Sequence, residues 1–279
     1  MSKIAIIIFS CFKYRYLWNI AINSWQKELA DEFYNFDFYI TTDNPSNINL
    51  NNYLNNKNVQ LIIYPNKITW TESTYYSLNT LYINKYKNII TSFDDLILTK
   101  IDKKLLFRII NNNYHTNYFR LINNHSNFFQ RMFFYKEFNI DNPLKYLGSM
   151  VMTLWNLEFL INFFNNHKKE LLKLNAWEYE KAVPKLIGKY QKMKYSNQNI
   201  IVYQNLMLKG KIDLFSLYYL VYLKKEDMKE VYNNYPKLNF FKNSAIYFYY
   251  FIFNISQIIL PNYLFKKISK LKDFFLDLR

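Results

Sequence analysis

The sequence predicts an α/β fold built on a mostly parallel sheet of the nucleotide-binding type. Three observations lead to this prediction. Apolar runs alternate with stretches of helical periodicity in the order strand, helix, strand, strand, helix, strand. The first run, Lys3–Phe9, is continuously apolar after its lysine, which is typical of a strand buried on both faces. A chain of 279 residues is long enough to bury one sizeable core.

The N-terminal elements are bounded by Asn, Pro and Thr residues. Thr71 is a plausible cap for the second helix. The first helix has one apolar face, formed by Leu17, Ile20, Ala21, Ser24 and Trp25. The predicted strands are Lys3–Phe9, Phe36–Thr41, Val59–Tyr64 and Asn88–Phe93, and the predicted helices are Tyr14–Ala30 and Thr69–Tyr86.

The second half of the chain predicts a less regular set of elements. The helix that starts at Trp177 is expected to kink or end near Pro184. The other helices are predicted at Asp102–Asn111 and Asn156–Leu174, and the strands at Tyr118–Ile122, Arg131–Lys136, Tyr146–Leu154 and Asn199–Leu208.

The C-terminal region differs in composition, so we predict a domain over residues 1–235 and an apolar, basic helical extension over 236–279. The apolar run Ala245–Leu260 is shorter than the roughly 20 residues that span a bilayer. Beyond it, Leu264, Ile268, Leu271, Phe275 and Leu278 form a helical stripe, with Lys266, Lys267 and Lys270 beside it. This pattern fits a helix on an anionic membrane surface, or equally a helix packed on the core or on a second copy of the chain.

Charge and cysteine content narrow the function classes. Lys and Arg number 36 against 21 Asp and Glu, a net charge of +15. A positive net charge attracts nucleic acid, anionic membranes and phosphorylated substrates. Residues with AT-rich codons, including Lys, dominate the composition, so part of the charge can come from codon bias, which weakens the case for nucleic acid. Cys11 is the only cysteine and the three histidines lack metal-ligand spacing, so a reducing cytoplasm is expected.

An acidic pair ends the fourth predicted strand. The apolar run Ile89–Phe93 leads directly into Asp94 and Asp95. Ligands of open α/β sheets bind at such strand ends, and a divalent cation held by carboxylates and a diphosphate is one such ligand. The alternative is a strand-to-helix turn in which the aspartates cap the next helix. With only three glycines and no GxGxxG or GxxxxGK motif, phosphates must be met by side chains, helix ends or a metal.

Further candidates are polar or aromatic residues in apolar surroundings. Trp177 and Glu180 are three residues apart and share a helix face, which suits a sugar site with Glu180 as a base; the alternative places Trp177 in the core. Arg120 is either a diphosphate clamp or a partner of the acidic pair. Trp70 either precedes a helix cap or touches a ligand, and Trp155 is more typical of a core residue.

The motifs, taken together, resemble those of bacterial GT-A-type glycosyltransferases of capsule and lipopolysaccharide biosynthesis. The resemblance covers roughly the first three quarters of the chain. One position departs from it, because Val151 stands where the family has Gln. The matching residues, in order, are Ile89–Phe93 with Asp94, Asp95 and Leu96–Leu98, then Tyr118 with Arg120 and Leu121, Ser149 with Trp155, Trp177 with Glu180, and Gly210 with Lys211.

The resemblance implies a GT-A-like sheet flanked by helices, and transfer of a sugar from a nucleoside diphosphate sugar to a surface glycan or lipid-linked acceptor. We expect Glu180 and Asp95 to be catalytic, and Asp95 to hold Mn²⁺ or Mg²⁺ or the donor ribose. The enzyme would act in the cytoplasm or peripherally at the inner membrane. Expected donor contacts are Ser10, Asp43, Trp70, Asp94, Asp95 and Arg120, and expected acceptor contacts are Trp177, Ser149 and Trp155.

Two classes of non-catalytic protein compete with this interpretation. An RNA-binding module would explain the charge and the aromatic residues, but it should carry an aromatic–basic strand motif, and the sequence has none. A basic protein of the membrane surface would explain the C-terminus. It would leave the acidic pair at the strand end unexplained.

Overall fold

The structure is a computed structural model that describes residues 4–112, 117–122, 148–187, 193–195, 199–208, 210–222, 228–241, 243–245 and 247–248. Contacts between residues divide the chain into two units. The longer segment of the second unit starts at Gln204. The described part of the first unit runs to residue 122 and from residue 148 to Tyr203.

A seven-stranded mixed sheet forms the centre of the first unit, with strand order β3-β2-β1-β4-β7-β6-β8. A further strand, β5, follows the acidic pair and pairs instead with β9. The strands are β1 Ile4–Phe9, β2 Phe36–Thr42, β3 Val59–Ile63, β4 Asn88–Phe93, β5 Leu96–Ile101, β6 Tyr118–Arg120, β7 Thr153–Asn156, β8 Met193–Tyr195 and β9 Ile201–Asn205.

Strand direction determines which residues share an edge of this sheet. Strands β1 to β4 pair in parallel, whereas β7 runs antiparallel to both β4 and β6. Strand β6 therefore runs in the direction of β4. Its last residue, Arg120, faces Thr153 of β7, which in turn faces Thr91 of β4. The ends of β1, β2, β4 and β6 and the start of β7 consequently lie at one edge.

Helices cover both faces of the sheet. On one face, Ala5 and Ile7 of β1 belong to a core cluster that includes residues of three helices, which follow β3, β7 and residue 175. On the opposite face, Trp25 packs edge-on against Phe38 of β2. The helices of the first unit are α1 Trp18–Leu29, α2 Trp70–Ile83, α3 Lys103–Asn112, α4 Leu157–Asn166, α5 Lys168–Leu171 and α6 Ala176–Ile187. The predicted α/β fold with a helix-flanked, nucleotide-binding type of sheet is confirmed.

Two predicted details of the N-terminal half are wrong. The first helix was expected from Tyr14, but Phe12–Leu17 is a 3-10 helix and α1 begins only at Trp18. Helix α2 is capped by Thr69 rather than Thr71, since the Thr69 side chain accepts from the backbone N–H of Glu72 and the Glu72 carboxylate accepts from that of Thr69. This reciprocal capping box satisfies two N–H groups at the helix start.

The segment after the acidic pair also differs from the prediction. Asp94 and Asp95 form a two-residue turn between β4 and β5, so they do not cap a helix. The residue that caps α3 is Asp102, whose Oδ1 accepts from the backbone N–H of Leu105 at 3.0 Å. The acidic turn is therefore free of a capping role.

The remaining differences concern the second half of the chain. The strand predicted over Tyr146–Leu154 is found at Thr153–Asn156, after positive φ angles at Gly148 and Met152. The helix predicted over Asn156–Leu174 is divided at His167 into α4 and α5, and α6 continues through Pro184 to Ile187. The predicted strand Arg131–Lys136 and the helical stripe from Leu264 to Leu278 lie outside the described residues.

The second unit is organised around a buried carboxylate, that of Asp213. The carboxylate accepts from the backbone N–H groups of Phe215 and Ser216, from the Ser216 hydroxyl, from the amide of Asn243 and from the hydroxyl of Tyr247. Five donors compensate the cost of burying this charge. The described elements of this unit are β10 Met207–Leu208, β11 Lys211–Ile212, α7 Leu214–Tyr222 and α8 Lys229–Asn234.

Bonds cross the predicted boundary at residue 235. The backbone N–H of Ile212 donates to the carbonyl of Pro236 at 2.8 Å, and that of Leu238 donates to the carbonyl of Ile212 at 3.0 Å. The first residues of the predicted extension are thus tied to β11. In the described part of the chain, no helix combines the length and the apolarity that crossing a bilayer requires.

Candidate active site at the carboxyl edge of the sheet

The acidic turn lies beside the end of β1. Asp94 is 6% exposed, and its backbone N–H donates to the carbonyl of Phe9 at 3.3 Å. Its Oδ2 accepts a hydrogen bond from the Ser10 hydroxyl. That hydroxyl oxygen also accepts from the indole N–H of Trp18 at 2.7 Å. Ser10 is thus oriented by Trp18 so that its proton points at Asp94.

The two adjacent carboxylates destabilise each other's charged form. Burial, and next the charge of Asp95, raise the pKa of Asp94 well above its ordinary value, although the Ser10 hydrogen bond opposes this. Burial raises the pKa of Asp95 to about 6. A cation bound beside these two carboxyl groups would lower their raised pKa values and so favour their ionised form.

The acidic turn fits a divalent cation whose coordination is completed by the substrate. Mg²⁺ is usually held by one or two carboxylates together with substrate phosphates and water. The described residues contain no group of three or more His, Cys, Asp and Glu side chains that could hold an ion without such help. Asp95, which is partly exposed, is the carboxylate open to a ligand, and Asp94 supports it from within.

The end of β2 joins the same edge through backbone contacts. The Oδ1 atom of Asp43 accepts from the backbone N–H of Phe12 at 2.7 Å, and the Ser10 N–H donates to the Thr41 hydroxyl at 3.2 Å. The Tyr64 hydroxyl donates to the Ser10 carbonyl at 2.9 Å. Ser10, Asp43 and Asp94, all predicted donor contacts, are therefore brought together by the structure.

Three residues around this edge escaped sequence reasoning. They are Trp18, Tyr64 and Cys11, and the last lies between the carboxylates of the two strands. Burial, followed by the charges of Asp94 and Asp43, raises the pKa of the Cys11 thiol to about 11, so it is neutral at physiological pH. Tyr64 ends a predicted strand and Cys11 follows one by two residues, whereas Trp18 lies well inside the predicted first helix, where position along the chain gives no signal.

An arginine in an aromatic cage was also missed, and Phe12, whose backbone N–H donates to Asp43, forms part of that cage. The Arg15 guanidinium stacks at 4.4 Å from the ring centres of Phe12 and Tyr16 and at 5.1 Å from that of Tyr53. Tyr53 belongs to the 3-10 helix Leu50–Tyr53, in a segment for which the sequence predicts no helix or strand. We call these four residues the Arg15 cage.

A second polar cluster lies where β6 ends and β7 is about to begin. The Ser149 hydroxyl donates to Oε1 of Glu180 at 3.2 Å. Burial raises the pKa of Glu180, whereas the Ser149 hydrogen bond and the charge of Arg120 lower it. Ser149, Glu180 and Arg120 are therefore neighbours, as a site at this edge requires.

Trp70 connects the two clusters within the first unit. Its ring stacks on Phe93 with centroids 6.1 Å apart and meets Phe9 edge-on at 6.1 Å. The same ring meets Tyr179, which precedes Glu180, at 5.3 Å. Trp70 is partly exposed, so a surface for a ligand contact remains.

The two other predicted tryptophans differ in burial. Trp177 is 65% exposed in the first turn of α6, which excludes the alternative that placed it in the core. Trp155 is fully buried, with its ring centroid 4.7 Å from that of Tyr118. Its ring offers no surface to an acceptor, so the predicted acceptor contact of Trp155 is corrected to a core role.

Comparisons with known proteins concern the fold. The chain matches no protein-family model and no curated protein. It is similar to the galactosyltransferase LgtC solved with donor and acceptor sugar analogs, at 13% identity and a TM-score of 0.42 over 69% of this chain and 73% of that one.

Two further solved structures extend this comparison. S. aureus TarS 1–349 matches at 12% identity and a TM-score of 0.48, over 79% of this chain and 64% of that one. The 4-diphosphocytidyl-2C-methyl-D-erythritol synthase of Anaerococcus prevotii matches at 10% identity and the same TM-score, over 80% and 96%. Identities this low leave substrate and chemistry to the residues of the site.

Proposed function

We propose that the protein is a glycosyltransferase that moves a sugar from a nucleoside diphosphate sugar to a glycan or lipid-linked acceptor of the bacterial surface. The observation that supports this most is the acidic turn at the carboxyl end of β4, where Asp94 accepts a hydrogen bond from Ser10, the residue that follows β1. In open α/β sheets this edge is where ligands bind. The acidic turn and the Ser149–Glu180 pair offer places for a donor and an acceptor.

The donor would extend from β2 to β4. The nucleoside would lie against the Arg15 cage and Asp43, since base rings stack on aromatic and guanidinium planes and a carboxylate accepts from ribose hydroxyls. The diphosphate would reach Asp95 through Mn²⁺ or Mg²⁺. Such a cation neutralises the charge that develops on the leaving diphosphate.

The acceptor would approach from the side of β6 and α6. Glu180 would take the proton of the acceptor hydroxyl. At the same time the acceptor oxygen would bond to the anomeric carbon of the donor sugar, and the bond from that carbon to the diphosphate would break. If configuration is retained, Glu180 would instead position the acceptor. The exposed ring of Trp177, one helical turn before Glu180, offers a stacking surface for a sugar.

The direct test of this function is thermal denaturation with UDP-, GDP- and CMP-sugars, each with and without Mn²⁺. We expect one nucleotide class to raise the melting temperature, and Mn²⁺ to increase that rise, because a ligand bound only to the folded state stabilises it. If none of these donors shifts the transition, the non-catalytic alternatives gain support.

Glu180→Gln should lower the turnover of the proposed transfer by about 10²–10⁴-fold, the usual contribution of a general base. The melting temperature should change by only a few degrees, since the amide keeps the hydrogen bond that Oε1 accepts from Ser149. Initial rates at saturating donor and acceptor, together with melting curves, measure both effects. The matched control is Glu170→Gln on the exposed surface of α5, where turnover should be unchanged. Normal turnover in Glu180→Gln would remove the residue from the chemistry.

We also propose that the enzyme works in the cytoplasm at an anionic face of the inner membrane. The described part of the second unit exposes large aromatic side chains, which are common at membrane interfaces. Tyr218 is 73% exposed and Phe241 is 80% exposed. The sequence then continues into the apolar run 245–260 and the lysine-flanked stripe.

Truncation after Phe248 should abolish sedimentation with anionic liposomes while leaving the melting transition and nucleotide-sugar binding intact. Lys266, Lys267 and Lys270 would each add on the order of 1 kcal/mol of attraction to such a surface, and salt would weaken it. The cut lies beyond Tyr247 because an earlier end would remove a donor to Asp213. Liposomes of neutral lipid are the control. Failure of the full chain to sediment at low salt would contradict the proposal.

A further inference from the structure

Arg120 lies too deep to be an obvious clamp for a diphosphate. It is the last residue of β6 and only 4% of its surface is exposed. A clamp must present its guanidinium to a ligand that arrives from solvent, whereas a buried guanidinium requires an anion within the protein.

The acidic turn is not in place to be that anion. Arg120 is level with Thr91 across β7, and Asp94 lies three residues further along β4. That offset is about 10 Å along the strand, and the two strands are about 10 Å apart across the sheet. The leading influences on the pKa of Asp94 are its burial, the charge of Asp95 and the hydrogen bond from Ser10, and the leading influence on the pKa of Asp95 is its burial.

Contacts through β7 lead instead to Glu180. Arg120 faces Thr153, whose hydroxyl donates to the carbonyl of Ser149 at 2.9 Å. The Ser149 hydroxyl donates to Glu180. The preceding residue, Gly148, has φ +83° and lies so close to α6 that a Cβ atom there would be 2.0 Å from Cγ1 of Val183. This close approach holds the Ser149 turn against the helix that carries Glu180.

We propose that Arg120 is a positioning residue, the buried charge partner that keeps the Glu180 carboxylate ionised and oriented, rather than a contact of the donor diphosphate. The importance of this role for transfer rests on the proposed function, but the pairing itself does not. Arg120 and Ser149 then act together, one by charge and the other by a hydrogen bond to Oε1.

The two tyrosines that interact electrostatically with Glu180 carry no charge of their own. Burial raises the pKa of Tyr118, on β6, to about 12, even though the charge of Arg120 lowers it. Burial raises the pKa of Tyr179, on α6, well above its ordinary value. Both are neutral phenols at physiological pH, so among the described neighbours of Glu180 the positive charge is that of Arg120.

A double-mutant cycle tests the pairing without any substrate. Arg120→Met, Glu180→Gln and the double variant are compared with the wild type in urea unfolding at pH 7.5 and again at pH 4. At pH 7.5 we expect the double variant to lose clearly less stability than the two single losses added together, because Arg120→Met alone leaves a buried carboxylate without its partner. At pH 4, where the carboxyl takes up its proton, the coupling should shrink. Additive losses at both pH values would overturn the pairing.

Nucleotide binding distinguishes a positioning residue from a clamp. Arg120→Met should keep the melting-temperature rise that the wild type shows with its donor and Mn²⁺, while turnover falls at unchanged KM for the donor. The acid limb of the pH–rate profile should move up by about one pH unit, and Ser149→Ala should move it in the same direction. Arg120→Lys, which retains the charge, should restore part of the turnover.

The outcomes separate this inference from the proposed function. Loss of the donor-induced melting shift in Arg120→Met, with the fold intact by the unfolding curves, would overturn the positioning role. A wild type that binds no nucleotide sugar, but shows the coupling between Arg120 and Glu180, would overturn the proposed function and leave the pairing standing. If Arg120→Met does not fold, Arg120→Gln, which removes the charge but keeps a polar side chain, replaces it in the cycle.

Discussion

Asp95→Asn should abolish metal-dependent binding of the nucleotide sugar and at the same time stabilise the ligand-free protein at neutral pH. Burial raises the pKa of Asp95 to about 6, so above that pH the ionised carboxylate destabilises the folded protein. The amide carries no charge and avoids this penalty. We expect a gain of about 1–2 kcal/mol at pH 7.5, since partial exposure screens part of the effect.

The sign of the pH dependence follows from the direction of the shift. A carboxyl whose pKa is higher in the folded state contributes most stability below its unfolded value, near pH 4, and this contribution is lost as the pH rises through about 6. The wild type should therefore lose stability between pH 4 and pH 7 more steeply than Asp95→Asn. Urea unfolding across that range measures the difference.

Two controls accompany this variant. Asp31→Asn alters an exposed carboxylate of the 3-10 helix Ala30–Asn35 and should change neither the stability profile nor nucleotide binding. At pH 7.5, Mn²⁺ should increase the stabilisation that the nucleotide sugar gives the wild type, and should add nothing to the effect of the nucleotide sugar on Asp95→Asn. Full metal-dependent donor binding by Asp95→Asn would remove the acidic turn from the donor site.

Gly148→Ala should strongly destabilise the protein. The new Cβ would lie 2.0 Å from Cγ1 of Val183, and a positive φ of +83° is unfavourable for an L-residue. Overpacking costs about 1–3 kcal/mol and the backbone conformation about 1–2 kcal/mol. A combined loss of roughly 3 kcal/mol corresponds to about 6–12 °C in melting temperature for a chain of this size class.

The second-site variant Val183→Ala separates these two costs. In the double variant the steric contact is removed while the backbone conformation remains, so the double variant should be more stable than Gly148→Ala. Because the Ser149–Glu180 hydrogen bond follows this turn, Gly148→Ala should also lower turnover. A melting temperature within two degrees of the wild type, with normal turnover, would contradict the close approach of the turn to α6.

The four N-terminal strands were predicted to within one or two residues. Their signal is local, because β1 is a continuous apolar run, β4 is largely apolar, and both are followed by polar residues and buried on both faces. The place of Asp94 and Asp95 followed from the same signal. What the apolar run could not reveal was the hydroxyl of Ser10 pointing at Asp94, since that bond joins residues from two strands.

Strand β5 shows where local patterns end. The sequence predicts no strand at Leu96–Ile101, yet this segment pairs with β9, and the Thr99 hydroxyl donates to the carbonyl of Val202 at 3.2 Å. A partner so distant in the chain leaves no trace in local periodicity. The same limit applies to Arg120, whose apolar surroundings suggested a buried partner without indicating that Glu180 is near it.

The aromatic residues were harder to assign because the chain contains so many of them. Trp155 and Trp177 occupy similar motif positions, yet one is fully buried and the other is exposed. Trp155 is buried against Tyr118 of a neighbouring strand. Spacing along the chain does not predict that contact. The Arg15 cage likewise forms from the 3-10 helix after β1 and a loop after β2.

The buried carboxylate of Asp213 has a consequence for the order in which the chain folds during synthesis. Tyr247 and Asn243, two of its donors, are translated 34 and 30 residues later. Until they leave the ribosome, a negative charge inside the nascent second unit lacks part of its compensation, which disfavours early closure. The parallel strands β1 to β4 have all been translated by then. We therefore expect the N-terminal sheet to form first and the second unit to close only once the chain has passed Tyr247.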